Sequence, residues 1–78
     1  MGSHSVDIEL DAIGQKCPMP LLSTKRAFNS MVNGQILRII ATDKNAVKDL
    51  KAFCEYTDHI FLDHKKQGES FVIYLKKG

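Results

Sequence analysis

The stretch Val6-Asp7-Ile8-Glu9-Leu10-Asp11-Ala12-Ile13-Gly14-Gln15-Lys16-Cys17-Pro18-Met19-Pro20-Leu21-Leu22 changes its repeat halfway along. Val6, Ile8, Leu10 and Ala12 alternate with Asp7, Glu9 and Asp11, the period of two that marks a strand with one buried and one wet face. Gly14 breaks that pattern. From Pro18 onward, Leu21, Thr24, Phe28 and Met31 recur at intervals of three and four, with Ala27 alongside, as in a helix laid against a sheet. Asn33-Gly34 stops this helix, because glycine takes the left-handed conformation just past a helix end without strain.

Outward from there, Ile36-Leu37-Arg38-Ile39-Ile40-Ala41 is apolar on both sides except at Arg38, which predicts a central strand. Thr42-Asp43 offers a cap for a second helix carrying Val47, Leu50, Phe53 and Cys54 and ending at Thr57-Asp58. His59 to Asp63 and Phe71 to Leu75 read as strands joined by Lys65-Lys66-Gln67-Gly68-Glu69, a hairpin with glycine in its turn. The order is βαβαββ. Helices returning between strands demand parallel or mixed pairing, and with four strands both helices fit on one face. The expected fold is α+β: a two-layer α/β sandwich of a mixed four-stranded sheet with two helices on one face, the other face relatively open.

A chain of 78 residues allows one domain. Met1-Gly2-Ser3-His4-Ser5 reads as a cloning scar and 6–78 as a single unit. With 44% hydrophobic and 26% charged residues, the composition excludes a disordered or collagen-like chain. No apolar run approaches the roughly 20 residues of a membrane-spanning helix. A cytoplasmic location is the expectation, and in a reducing compartment the two cysteines read as free thiols. A net charge of +2 and a pI near 8.6 fall below the basic balance typical of nucleic-acid-binding domains, which argues against direct nucleic-acid binding. The charge is unevenly spread: Asp7, Glu9 and Asp11 have no base among them, while Lys16, Lys25 and Arg26 have no acid.

Cys17 stands between the first strand and the first helix, where α/β sheets place ligand-handling groups. Proline is favoured at a helix's first position, so Pro18 is expected to put Cys17 at the N-cap, facing the positive end of the helix dipole. Pro18 and Pro20 have no N–H to give. Support for the thiolate then comes from the Met19 and Leu21 N–H groups, the dipole and Lys16, and the thiol is expected to ionise below free cysteine. Pro20 occupies the place where a dithiol motif would carry its second cysteine. A single thiol of this kind suits carrying a group more than closing an internal disulfide. Met19 and Leu22 read as apolar contacts for a protein partner, with Lys16, Lys25 and Arg26 as steering charges; a solvated basic face is the plain alternative.

Cys54 shares an apolar face with Val47 and Leu50 and reads as core, with a resolving thiol as the alternative. Asp43 reads as the cap of the second helix, or as a group ordering the loop near Cys17. His59 and His64 have no zinc-ligand spacing with the cysteines, so no metal site is expected. Tyr56, Phe61, Phe71 and Tyr74 could form a stacking platform for single-stranded RNA, but the alternation of Phe71, Ile73 and Leu75 favours a buried face.

Taken together, Leu10-Asp11 with Gly14, Cys17-Pro18-Met19-Pro20, Asp43, Phe53-Cys54, and Tyr74-Leu75 with Lys77-Gly78 make the chain resemble the TusA/SirA-like family of small sulfur-carrier proteins over nearly all of Val6 to Gly78. The resemblance implies a βαβαββ two-layer sandwich and a persulfide relay. In that relay the residue matching Cys17 accepts sulfane sulfur from a cysteine desulfurase-like donor and passes it to a protein thiol acceptor, notably towards 2-thiouridine in tRNA. No metal or organic cofactor is needed for such an exchange. Branches of the family share the motif and differ in partner, and Phe53-Cys54 is most similar to the tRNA-thiolation branch. The alternative is an RNA-binding or regulatory interaction module without sulfur transfer.

Overall fold

The alternation that opens the chain forms β1 (Ile8–Ala12), and the segments that follow are α1 (Met19–Asn29), β2 (Ile36–Ala41), α2 (Ala46–Glu55), β3 (Ile60–Gln67) and β4 (Ser70–Lys76). This computed structural model describes residues 6–78. The cloning-scar reading of residues 1–5 lies outside them. The sheet order is β1-β2-β4-β3, with β1 parallel to β2 and the other two pairings antiparallel. The mixed four-stranded sheet expected from the sequence is the one observed, and β2 is central.

Both helices cover the same face. On β2, Leu37, Ile39 and Ala41 are fully buried and meet Ile73 and Leu75 of β4, Phe28 of α1, and Ala46, Leu50 and Cys54 of α2 in one core. Helix α1 buries Pro20, Thr24 and Phe28 at intervals of four, and α2 buries Ala46, Leu50 and Cys54 at the same intervals. Thr24 is fully buried, and its hydroxyl is satisfied by donating to the Pro20 carbonyl at 2.8 Å.

The opposite face is less open than the pattern implied. Val72 and Tyr74 of β4 are buried there, because β4 lies between β2 and β3 and is flanked by Ile40 and Arg38 on one side and by Lys65 and Asp63 on the other. Arg38 reaches both Glu9 Oε1 and the Tyr74 hydroxyl at 3.4 Å, tying three strands together across that face. Glu9 and Asp11 are exposed on the edge strand β1, with Asp7 exposed just before it, and charge along this edge discourages pairing with another chain.

Boundaries shift in two places. Helix α1 ends at Asn29, where Ser30 turns its N–H and hydroxyl back onto the Ala27 carbonyl, so the stop precedes Asn33-Gly34. Met31 still reaches the core from beyond the helix, and Gly34, at φ +94, turns the chain into β2. The hairpin is also tighter than expected. Lys65, Lys66 and Gln67 belong to β3, and Gly68 at φ +62 leads a two-residue turn, the position where a type II′ turn favours glycine.

Candidate functional site

Because β1 and β2 run parallel and adjacent, the loops leaving their carboxyl ends lie side by side, and hydrogen bonds join them. Gly14, at φ +82, turns the chain out of β1 and donates its N–H to the Thr42 hydroxyl at 2.9 Å. The Cys17 N–H donates to Asp43 Oδ2 at 2.6 Å, while Asp43 Oδ1 accepts the Asn45 N–H at 2.8 Å. Asp43 therefore orders the loop around Cys17. It does not cap α2 through its side chain; the cap position falls on Asn45, which makes no side-chain capping bond. The two N–H donors, Asn45 first and then Cys17, hold the Asp43 carboxyl below the usual carboxylate range, and the charges of Lys16 and Lys44 act in the same direction.

Cys17 is exposed, and its peptide bond to Pro18 is cis. The helix-cap expectation for it is corrected. Lys16 to Met19 form a turn closed by the Met19 N–H on the Lys16 carbonyl at 2.7 Å, so Pro18 takes the cap position, α1 starts at Met19, and Cys17 lies one residue outside. That same bond occupies the Met19 N–H assigned above to the thiolate.

The expected ionisation is corrected as well. The Cys17 thiol donates to Asp49 Oδ2 at 2.8 Å, and this bond is the first cause of a pKa raised, not lowered, from 9.0. Partial desolvation and the negative charges of Asp49 and Asp43 push the same way, and Lys48 is the cation that opposes them. Lys16 acts on Asp43 instead. Two carboxylates thus face Cys17, one on its N–H and one on its sulfur, and they outweigh the end of a helix that begins too late to cap it.

A groove of about 500 Å³ runs from Cys17 between the helices, with Leu21 and Lys25 on the α1 side and Asp49, Ala52, Phe53, Tyr56 and Thr57 on the α2 side. Its walls are mainly apolar. Lys25 Nζ lies 5.8 Å from the centre of the Phe53 ring, within cation–π range, and Tyr56 is 89% exposed at the far end. Of the residues assigned to the site from sequence, Cys17, Leu21 and Lys25 line this groove, joined by Phe53 and Tyr56, which the sequence had offered in other roles. Lys16 lines a separate cleft of about 260 Å³ with Gly14, Gln15, Thr42 and Asp43. Pro18 is exposed beside the thiol and Pro20 is buried beneath the first turn of α1. Met19 and Leu22 are each 42% exposed, and Arg26 is exposed in the last turn of α1.

Sequence reasoning missed Asp49 and the α2 wall. The available signal was an acid in the first turn of α2, four residues before Phe53 and so on the same helix face, in a topology that places the two helix starts together.

The other candidates lie elsewhere. Cys54 is buried in the core, and burial pushes its thiol up to about 11. His59 stacks on Phe28 at 4.2 Å, packs against Phe53 at 5.4 Å, and accepts the Gly78 N–H on Nδ1; burial, then the charge of Lys77, keeps its pKa low. His64 meets the edge of Phe61. Among the described residues no three metal-binding side chains converge. Of the four aromatic residues considered for stacking, Tyr56 is exposed, Phe61 and Phe71 pack against the core from the helix side, and Tyr74 is buried on the opposite face, so they form no common platform.

The family described as Sulfurtransferase TusA matches residues 8–77. The chain is 44% identical over 71 residues to the sulfur carrier protein TusA of Allochromatium vinosum, spanning 91% of this chain and 93% of that one. It is 42% identical over 72 residues to the putative sulfur carrier protein YrkI of Bacillus subtilis, spanning 92% and 96%. The crystal structure of a SirA-like protein from Desulfitobacterium hafniense superposes with a TM-score of 0.79 at 20% identity, over 92% of this chain and 99% of that one, and so shares its fold.

Proposed function

The chain belongs to the Sulfurtransferase TusA family, and from that premise we propose that it is a sulfur carrier that holds sulfane sulfur as a persulfide on Cys17. The observation that carries this reading is the contrast in access between its two cysteines: one is exposed at the head of an apolar groove, the other is buried in the core. A thiol without a reachable companion exchanges sulfur with another molecule.

The exchange balances simply. The Cys17 thiol gives up its proton, and the thiolate attacks the outer sulfur of a donor persulfide. A new S–S bond forms at Cys17 as the donor's S–S bond breaks, and the donor leaves as a thiolate that takes up a proton. An acceptor thiolate then attacks the outer sulfur on Cys17 in the same way and restores the thiol. No net oxidation occurs, and no cofactor enters either step.

The donor is a protein of the cysteine desulfurase type and the acceptor a protein thiol, both meeting Cys17 in the cytoplasm, with tRNA 2-thiouridine as the onward destination suggested by Phe53-Cys54. The groove seats the partner's sulfur-bearing segment, Met19 and Leu22 extend its apolar contact, and Lys25 and Arg26 steer approach. Lys16, Pro18, Pro20 and Leu21 shape the turn and first helical residues around the sulfur.

Incubation with a desulfurase, cysteine and pyridoxal phosphate should add about 32 Da, one sulfur atom, to the protein. The gain should vanish in Cys17→Ser and persist in Cys54→Ser. A gain that survives Cys17→Ser would sink the assignment.

A further inference from the structure

We propose that Asp49 is a positioning residue that locks the resting Cys17 sulfur as a thiol, and that a cationic side chain of the docking partner releases it by drawing the carboxylate away. The proposal rests on the carrier reading for its purpose and on the structure for its geometry. The Sγ to Oδ2 separation of 2.8 Å is short for a thiol donating to a carboxylate, and it is made between residues 32 positions apart, by two different loop and helix starts. In this contact the thiol is the donor and the Asp49 carboxylate, in the first turn of α2, is the acceptor.

Asp43, Asp49 and Lys48 act on the sulfur by charge, and Lys25 of α1 lines the same groove with its ammonium drawn over the Phe53 ring. Both carboxylates disfavour a second negative charge between them. A free carrier in this state reacts slowly with passing electrophiles and oxidants, whose attack needs the thiolate. A lysine or arginine brought to the head of the groove pairs with Asp49 and removes both the hydrogen-bond acceptor and its charge. Cys17 then loses its proton to solvent and attacks as described above. Asp49 thereby distinguishes a protein donor, which supplies the cation, from a small persulfide, which does not.

The test compares wild type, Asp49→Asn and Asp49→Glu in two assays. In the first, iodoacetamide alkylation of Cys17 is followed against pH by peptide mass spectrometry, with an unreactive Cys54 reporting an intact core. The curve of Asp49→Asn should move to lower pH, giving several-fold faster alkylation near neutrality. The curve of Asp49→Glu, which keeps the charge, should stay nearer wild type. Coincidence of Asp49→Asn with wild type, or of Asp49→Glu with Asp49→Asn, overturns the lock. In the second assay, glutathione persulfide and a persulfide-loaded desulfurase are offered separately. Asp49→Asn should accelerate loading from glutathione persulfide by about the alkylation factor but give no such gain with the desulfurase, whose cation loses the carboxylate it pairs with. An equal factor from both donors overturns release by the partner. The carrier reading is judged apart from this, by whether wild-type Cys17 gains sulfur at all.

Discussion

Cys17 and Cys54 carry the same side chain, and both hold their proton more tightly than a free cysteine, yet for opposite reasons. Cys54 is raised by burial among Leu50, Ala46 and the sheet, an environment that changes only when the core opens. Cys17 is exposed and is raised first by one carboxylate on a neighbouring helix. A shift caused by desolvation is fixed by packing, whereas a shift caused by a single surface partner can be removed by moving that partner. The two thiols therefore differ in how easily their acidity can be changed.

The largest break in this comparison should come from Leu50→Ala. Leu50 is fully buried and adjoins Cys54 in the core, and large-to-small core changes cost about 2–5 kcal/mol. Urea unfolding should show that loss, and Cys54 should become open to alkylation in the native buffer while Cys17 keeps its wild-type rate. Equal reactivity of both thiols before the substitution would abolish the distinction altogether.

A pH series sharpens the buried side. The folded Cys54 pKa, about 11, lies above the 9.0 of the unfolded chain, so the unfolded form releases its proton first as pH rises. The stabilising contribution is whole below pH 9.0 and is lost towards pH 11. The stability of wild type relative to Cys54→Ala, from urea midpoints, should therefore decline over that window and stay flat from pH 6 to 8.

The smallest effect is expected at the loop. Gly14 has φ +82, and an added methyl would meet nothing within 4 Å, so Gly14→Ala costs backbone strain alone, about 1 kcal/mol. Its urea midpoint should fall accordingly with Cys54 still protected. A loss as large as that of Leu50→Ala would mean that the Cys17 loop is part of the core's cooperative unit.

The framework of the fold was legible because it is written locally. The alternation of Val6 to Ala12, the spacing through Phe28 and the two-sided apolar character of Ile36 to Ala41 each report burial at a fixed period. Cys17, the loop and the residues at the start of α1 could be picked out for the same reason. What could not be read was the sign of the Cys17 shift, because it depends on Asp49, which is remote in sequence and brought close only by the parallel pairing of β1 and β2. The helix start was misplaced because Pro18 is as suited to the cap position of this turn as to the first helical residue. Burial of Val72 and Tyr74 also escaped the pattern, since it comes from neighbours on two flanking strands.

The walled-off position of Cys54 has one more consequence. On the proposed carrier reading, a shuttle with a single berth cannot unload onto itself, so every cargo must wait for a fresh encounter after the first host has departed. Throughput of such a molecule is governed by how many copies circulate and how fast they meet, and abundance becomes the handle by which a cell would set the flow.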